Sequence, residues 1–344
     1  GEFAMNPRIQ GAGSSKINPI RVDTPLECIK QSGISYLYAQ GYRLSSETSE
    51  DISLLAEAVA TAKKMDKVLL FAGLPEGKES EGFDRETMEL PTIQNKIIEE
   101  VSKVNKNVIV VLIGGAPVSL PWKEQVQGIM LAYLGGEGMG QAITELLMGT
   151  DSPCGKLAET WPIAVTDTPC ADTFPGTGHL AVYDEGIYIG YRFYEKKHTR
   201  VQFPFGYGLS YTTFHYRDIS VMLEDGKIKI RFIITNTGAI RAGHSVLIFI
   251  KNAKCNTHRP ERELRDFVKV FLEPGESEKI ECIIDESDLG YYDVQTKSFV
   301  TPAGEYEVQI VGDKAKVEAS TTVFLKHQNE NQNTLAVAIK SSYQ

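Results

Sequence analysis

Cysteine is scarce in this chain: five in 344 residues, Cys28, Cys154, Cys170, Cys255 and Cys282, odd in number and without a C-x-x-C pair. Such spacing fits reduced thiols, and argues against a disulfide framework or a cysteine-held zinc. The six histidines, His179, His198, His215, His244, His258 and His327, never stand three or four residues apart, and H-E-x-x-H does not occur, so no metal is signalled. Positive charge is also in deficit, with 36 Lys and Arg against 45 Asp and Glu and a formal charge of -9. That balance provides no basic stripe for a nucleic-acid backbone or an anionic membrane. No run approaches the roughly twenty apolar residues of a membrane helix, and no basic-then-apolar leader opens the chain. Gly135-Gly136-Glu137-Gly138-Met139-Gly140 misses G-x-G-x-x-G because Gln141 stands in the last place, and no G-K-[ST] follows, so a phosphate loop is absent. Close packing of a strand-to-helix turn accounts for it better. Ser14 and Ser210 stand outside any G-x-S-x-G.

What is present is an ordinary globular mixture, 42% hydrophobic and 24% charged, long enough for two domains. The first part alternates β-branched runs with helical patterns, which implies βαβ units around a mainly parallel sheet sandwiched by helices. Strands are expected at Tyr36–Ala39, Lys67–Ala72, Asn107–Ile113 and Gly128–Tyr133. One helix is expected to bury Ile52, Leu55, Val59 and Ala62 behind a Thr48-x-x-Asp51 start signal, another Ile93, Ile97, Val101 and Val104 after Pro91, and a third runs from about Gly140 to Met148. From Asp151 to Tyr216 Pro, Gly, Thr and aromatic residues crowd without a sustained period. Beyond it, alternation at Ile228–Ile234 and Val246–Ile250, then Lys269–Leu272, Lys279–Ile284 and Tyr306–Val311, predicts an all-β sandwich. The expected organisation is an α/β domain over 1–165, a connecting region over 166–216, a β-sandwich over 217–326 and a tail over 327–344, of which Thr334–Ile339 is apolar enough to dock.

The segment Glu79-Ser80-Glu81-Gly82-Phe83-Asp84-Arg85 puts four charges into seven residues just beyond a strand's carboxyl end, where open α/β sheets offer their ligand crevice. Read on its own, it is either a solvated loop or a pair of carboxylates in environments different enough to separate an acid from an ionised group. Gly82 would let the backbone turn beside Glu81.

Together with Met88-Glu89-Leu90-Pro91, this segment resembles the acid/base loop of glycoside hydrolase family 3. Five more segments are similar to family 3 in family order: Pro7-Arg8-Ile9-Gln10-Gly11-Ala12-Gly13-Ser14-Ser15, Tyr38-Ala39-Gln40-Gly41-Tyr42, Tyr133–Gly140, Gly155-Lys156-Leu157-Ala158-Glu159-Thr160-Trp161-Pro162 and Pro204-Phe205-Gly206-Tyr207-Gly208-Leu209-Ser210-Tyr211. Glu263–Phe267, Phe271–Glu276 and Gly304–Val308 resemble the fibronectin type III-like, immunoglobulin-like domain that follows in many members.

The resemblance implies a retaining hydrolase of terminal β-D-glucosyl residues, acting on β-glucosides or gluco-oligosaccharides without a cofactor. Glu81 takes the place of the general acid/base, and Glu79 is the runner-up or a like charge that raises the pKa of Glu81. Asp84 and Arg85 are expected to pair and fix the loop, with a sugar hydroxyl as the alternative for Arg85. Arg8, Gln10 and Ser14 belong to a loop near the same crevice, for which a plain turn is the alternative. Trp122 is expected in the core rather than under a sugar. The family's nucleophilic aspartate lies on a (β/α)8 barrel of about 250 residues, for which no length remains here. The expectation is a half-site partnered by a missing barrel domain or chain, and a non-catalytic carbohydrate-binding or scaffolding unit is the alternative. Gly1-Glu2-Phe3-Ala4 looks like native family sequence, which favours excision from a longer chain with the barrel upstream. The cysteine pattern and lack of a leader lean toward the cytoplasm.

Overall fold

The computed structural model describes residues 1–14, 16–44, 52–252 and 259–326. Ser15, the Thr48-x-x-Asp51 signal, Cys255, His258, His327 and the 327–344 tail with Thr334–Ile339 lie outside the described residues. Two compact units form, one from Gly1–Thr150 with Pro162–Thr166, the other from Asp151–Trp161 with Asp167 onward. The polypeptide therefore passes between them three times, after 150, 161 and 166.

The first unit is built on a parallel sheet in the order β1 (Val68–Gly73), β2 (Val108–Ile113), β3 (Gly128–Tyr133). The central β2 reads Val-Ile-Val-Val-Leu-Ile and is almost wholly buried, the continuous apolar run that a strand covered on both faces requires. Four helices accompany it: α1 (Pro25–Gln31), α2 (Ile52–Ala62), α3 (Thr92–Val104) and α4 (Met139–Met148). The α3 helix packs on β1 and β2 and α2 on α3, whereas α1 and α4 pair with each other. The α3 helix buries Ile93, Ile97 and Val101 as its period demands, but Val104 in its last turn is exposed.

Two further expectations need correction. On α2, Ala62 is buried and Leu55 and Val59 are half-buried as expected, but Ile52 is 69% exposed and Ala58 is buried in its stead, so the apolar stripe is turned toward the alanines. Residues Tyr36–Ala39 form no strand. The flank of β1 is already filled there: the Gly1 nitrogen donates to Ala39 O at 3.2 Å, the Tyr42 hydroxyl donates to Phe71 O at 2.9 Å, and Phe3 packs edge-on against Tyr42. The α1 helix was not anticipated, although Thr24-Pro25-Leu26-Glu27 carries its signal: Thr24 Oγ1 accepts from Glu27 N at 3.3 Å, and Pro25 stands in the first turn.

The second unit is an antiparallel sandwich. Strands Ser277–Asp285, Lys227–Asn236 and Phe214–Glu224 form one sheet in that order, and Val317–Leu325, Gly304–Val311, Ala242–Asn252 and Glu263–Leu272 form the other. Ile228, Ile230, Phe232 and Ile234 share one core with Val246, Ile248, Tyr306, Val308 and Ile310, the two-residue alternation of sheets facing each other. The first strand starts at Phe214 rather than after 217 and escapes a period-two reading because its register shifts between Arg217 and Ser220, with Asp218 at φ 54°. Within the supposed connecting region lies α5 (Tyr191–Lys197), closed by His198 in the left-handed region.

A buried polar chain ties segment 151–161 into this unit. Lys156 Nζ pairs with Asp313, Asp313 Oδ1 lies 3.6 Å from His244 Nδ1, and the Tyr216 hydroxyl lies 2.7 Å from His244 Nε2. Phe214 stacks on the imidazole with ring centroids 4.0 Å apart. Leu157 N donates to Tyr207 O at 2.9 Å and Gly206 N to Leu157 O at 2.8 Å, a small ladder beside the chain. The nearby Asp313 carboxylate favours the proton on Nδ1, which leaves Nε2 to accept from Tyr216.

Burial lowers the His244 pKa from its ordinary 6.5 to about 4, with the Asp313 charge opposing the shift and Lys156 adding to it. The unfolded chain therefore binds the extra proton between those values, so this stability is complete above pH 6.5 and is lost as pH falls through the window. We expect the melting temperature to drop between pH 6.5 and 5, with roughly 2 kcal/mol at stake. His244→Gln should flatten that slope, read by calorimetry at half-unit steps.

Candidate functional site

Loops at the carboxyl ends of β1 and β2 start side by side, because Leu74 N donates to Ile113 O at 2.9 Å and prolongs the ladder. Gly73 permits this approach: a Cβ there would lie 1.8 Å from Ile113 O. Its N–H donates to the buried Gln94 side chain of α3 at 2.7 Å.

Glu79 is the node of the loops. Its Oε2 receives Arg8 Nη1 and, at 2.9 Å, the Gly115 N–H that follows β2, while Arg8 Nη2 donates to Glu79 O at 2.9 Å and Nη1 to Leu74 O at 3.3 Å. The side chains of Arg8 and Glu79 are only 8% and 18% exposed, so the pair is poorly screened. Three stretches of chain are thereby joined at one carboxylate.

Glu81 is exposed, and Ser14 holds it from the other loop. Glu81 Oε2 accepts from Ser14 N at 2.7 Å and from Ser14 Oγ at 3.0 Å. Gly13, at φ +87°, makes room, since a Cβ on it would lie 2.1 Å from the same oxygen. The backbone and then the hydroxyl hydrogen bond from Ser14 hold the Glu81 carboxyl below the usual carboxylate range. This is opposite to the expected effect of Glu79, whose charge is met by Arg8 and the Gly115 amide.

Gln10 braces its own loop: its Nε2 donates to Ile17 O and its Oε1 accepts from Ile17 N, both at 2.8 Å. The Asp84–Arg85 pair does not form. Arg85 Nη1 donates to Pro117 O at 2.8 Å, Asp84 is exposed, and burial lowers the Arg85 pKa against the opposing charge of Glu79. Trp122 is fully buried, its Nε1 donating to Asn95 Oδ1 at 2.9 Å. The glycine-rich turn after β3 packs on backbone: Ile9 O accepts from Gly136 N at 2.9 Å, and a Cβ on Gly140 would lie 2.3 Å from Asp23 O. The structure thus gathers Arg8, Glu79 and Gly115 at one point and Ser14 and Glu81 at another. The parts played by Gly13 and Gly115 were not anticipated. The run Gly11-Ala12-Gly13-Ser14 carried the only hint, an amide presented by a glycine of positive φ, which is a common way to hold an anion.

Among the described residues, no group of three or more His, Cys, Asp or Glu could hold a metal, and no helix is long and apolar enough to cross a membrane.

Residues 1–211 match the glycosyl hydrolase family 3 C-terminal domain, and residues 244–314 the fibronectin type III-like domain. The thermostable beta-glucosidase B of Acetivibrio thermocellus is 41% identical over 317 residues, which cover 90% of this chain and 42% of that protein. An exo-alpha-(1->6)-L-arabinopyranosidase of Bifidobacterium breve is 36% identical over 334 residues, 96% of this chain and 44% of that one. The crystal structure of a Bifidobacterium adolescentis GH3 beta-glucosidase superposes with a TM-score of 0.91 at 37% identity, covering 98% of this chain and 50% of that one. The chain spans less than half the length of these two curated relatives.

Arg8→Met should destabilise the first unit by about 3 kcal/mol, the typical cost of leaving one member of a poorly solvated ion pair alone. Adding Glu79→Gln should recover part of the loss. Urea unfolding of the two variants and the wild type checks both.

Proposed function

This chain belongs to glycoside hydrolase family 3, and from that premise we propose that Glu81 is the general acid/base of a retaining glycosidase whose nucleophile is carried by a (β/α)8 barrel. The reading rests on one observation above the others: Glu81 is an exposed carboxylate held through a single oxygen, on a loop anchored at Glu79. Retaining hydrolysis needs a second carboxyl group about 5 to 5.5 Å from the first, to attack the anomeric carbon while the first protonates the departing oxygen. In the second step the acid, now ionised, takes a proton from water as that water displaces the enzyme's carboxylate from the sugar, and the starting state returns. Glu79 is unsuited to the attack, because its charge is committed to Arg8 and to the Gly115 amide. The chain is therefore a half-site, and the barrel is its partner.

Terminal β-D-glucosyl residues are the proposed substrate, in keeping with the beta-glucosidases among its relatives. One relative is named for an α-linked L-arabinopyranosyl group. Both sugars present an equatorial bond at the anomeric carbon, so one acid/base loop can serve either, and the choice between them falls to the barrel.

The test is hydrolysis of an activated aryl β-glucoside. The chain alone should be inert. A protein joining it to a family 3 barrel should turn over, and Glu81→Ala in that protein should lower kcat for poor leaving groups by about 10²- to 10⁴-fold. Added azide should restore turnover of the activated substrate. Turnover by the chain alone, or tolerance of Glu81→Ala, would refute the assignment, and glycan binding without turnover in the joined protein would favour a binding module.

A further inference from the structure

We propose that Ser14 is a positioning residue for Glu81, which anchors one carboxyl oxygen and reserves the other for proton transfer. The inference rests on the role proposed for Glu81 and adds a division of labour between its two oxygens. Both donors of Ser14, the amide at 2.7 Å and the hydroxyl at 3.0 Å, converge on Oε2. An oxygen already accepting two hydrogen bonds is a poor place for a proton, so Oε1 is the atom that carries it. Oε2 accepts in both protonation states. The anchor therefore survives when Glu81 gives its proton to the leaving oxygen and when it takes one back from water.

Three further observations support a built anchor. Ser14 and Glu81 lie 67 residues apart, so the acid loop does not orient its own carboxyl group. Gly13 adopts φ +87°, and a Cβ there would collide with Glu81 Oε2. Gln10 braces the loop that carries Ser14 with two hydrogen bonds to Ile17, so the donor is held independently of Glu81. The hydroxyl and the amide together favour the ionised carboxyl, which suits the second step, and they cap how alkaline the first step can run.

The carboxyl carbon of Glu81 can be titrated by ¹³C NMR in this chain itself, its signal identified by its loss in Glu81→Gln. Its midpoint should lie below the ordinary 4.5 in the wild type, rise in Ser14→Ala and stay low in Ser14→Thr. In the barrel-joined protein, Ser14→Ala should lower kcat/KM for alkyl glucosides by about 10- to 100-fold, with little change for dinitrophenyl glucoside. The alkaline limb of the pH profile should move upward, and Ser14→Thr should restore both. Circular dichroism of Ser14→Thr and Ser14→Ala confirms the folded state in which the comparison is made. An unmoved midpoint with unaltered leaving-group dependence overturns the anchor while leaving the role of Glu81 standing. Loss of the role itself is read separately, from a Glu81→Ala variant that keeps its activity.

Discussion

Arg8 and Glu79 stand 71 residues apart, and their ion pair brings a loop from the start of the chain against the loop that follows β1. The remaining geometry follows from that junction. Gly115 donates to the same carboxylate and draws in the end of β2. Two residues beyond Glu79 the chain presents Glu81, and six residues beyond Arg8 it presents Ser14, so the second contact is registered by the first. An exposed carboxylate on a free loop would sample many directions, and fixing it costs conformational entropy. Here the loop is tethered by a pair only 8% and 18% exposed, in which loss of either member would leave a poorly solvated charge alone.

Sequence periodicity located the sheet well because β1, β2 and β3 are runs of β-branched and apolar residues bounded by glycine. It failed where another physical effect decided. Tyr36–Ala39 has the composition of a strand, yet a strand needs a free ladder, and Gly1 and Tyr42 occupy the flank of β1. Alanine, not isoleucine, faces inward on α2, because close approach of helix to helix favours the small side chain. At Arg217–Ser220 a register shift breaks the alternation that announces a strand.

The candidate site was legible in part. The charged segment 79–85 and the Arg8–Ser14 run stood out by residue type and by their likeness to family 3, which also singled out Glu81 as the proposed acid/base. Which charges would pair was hidden, since pairing depends on contacts across about 70 residues that no local spacing encodes. Thus Asp84 and Arg85, neighbours in sequence, turn apart, while Glu79 finds a partner near the start of the chain. The direction of the Glu81 shift was missed for the same reason: hydrogen bonds from Ser14 outweigh desolvation, while the charge of Glu79 is met by Arg8.

The exchange of segments between the two units bears on how such a protein can be inherited. Residues Asp151–Trp161 belong with the sandwich, and Pro162–Thr166 with the α/β unit, so no single cut in the chain separates the two sets of contacts. A crossover between genes at any one point in that stretch would strand Lys156 from Asp313 or leave residues 162–166 without the unit they complete. Recombination should then preserve the α/β unit and the sandwich as one heritable block.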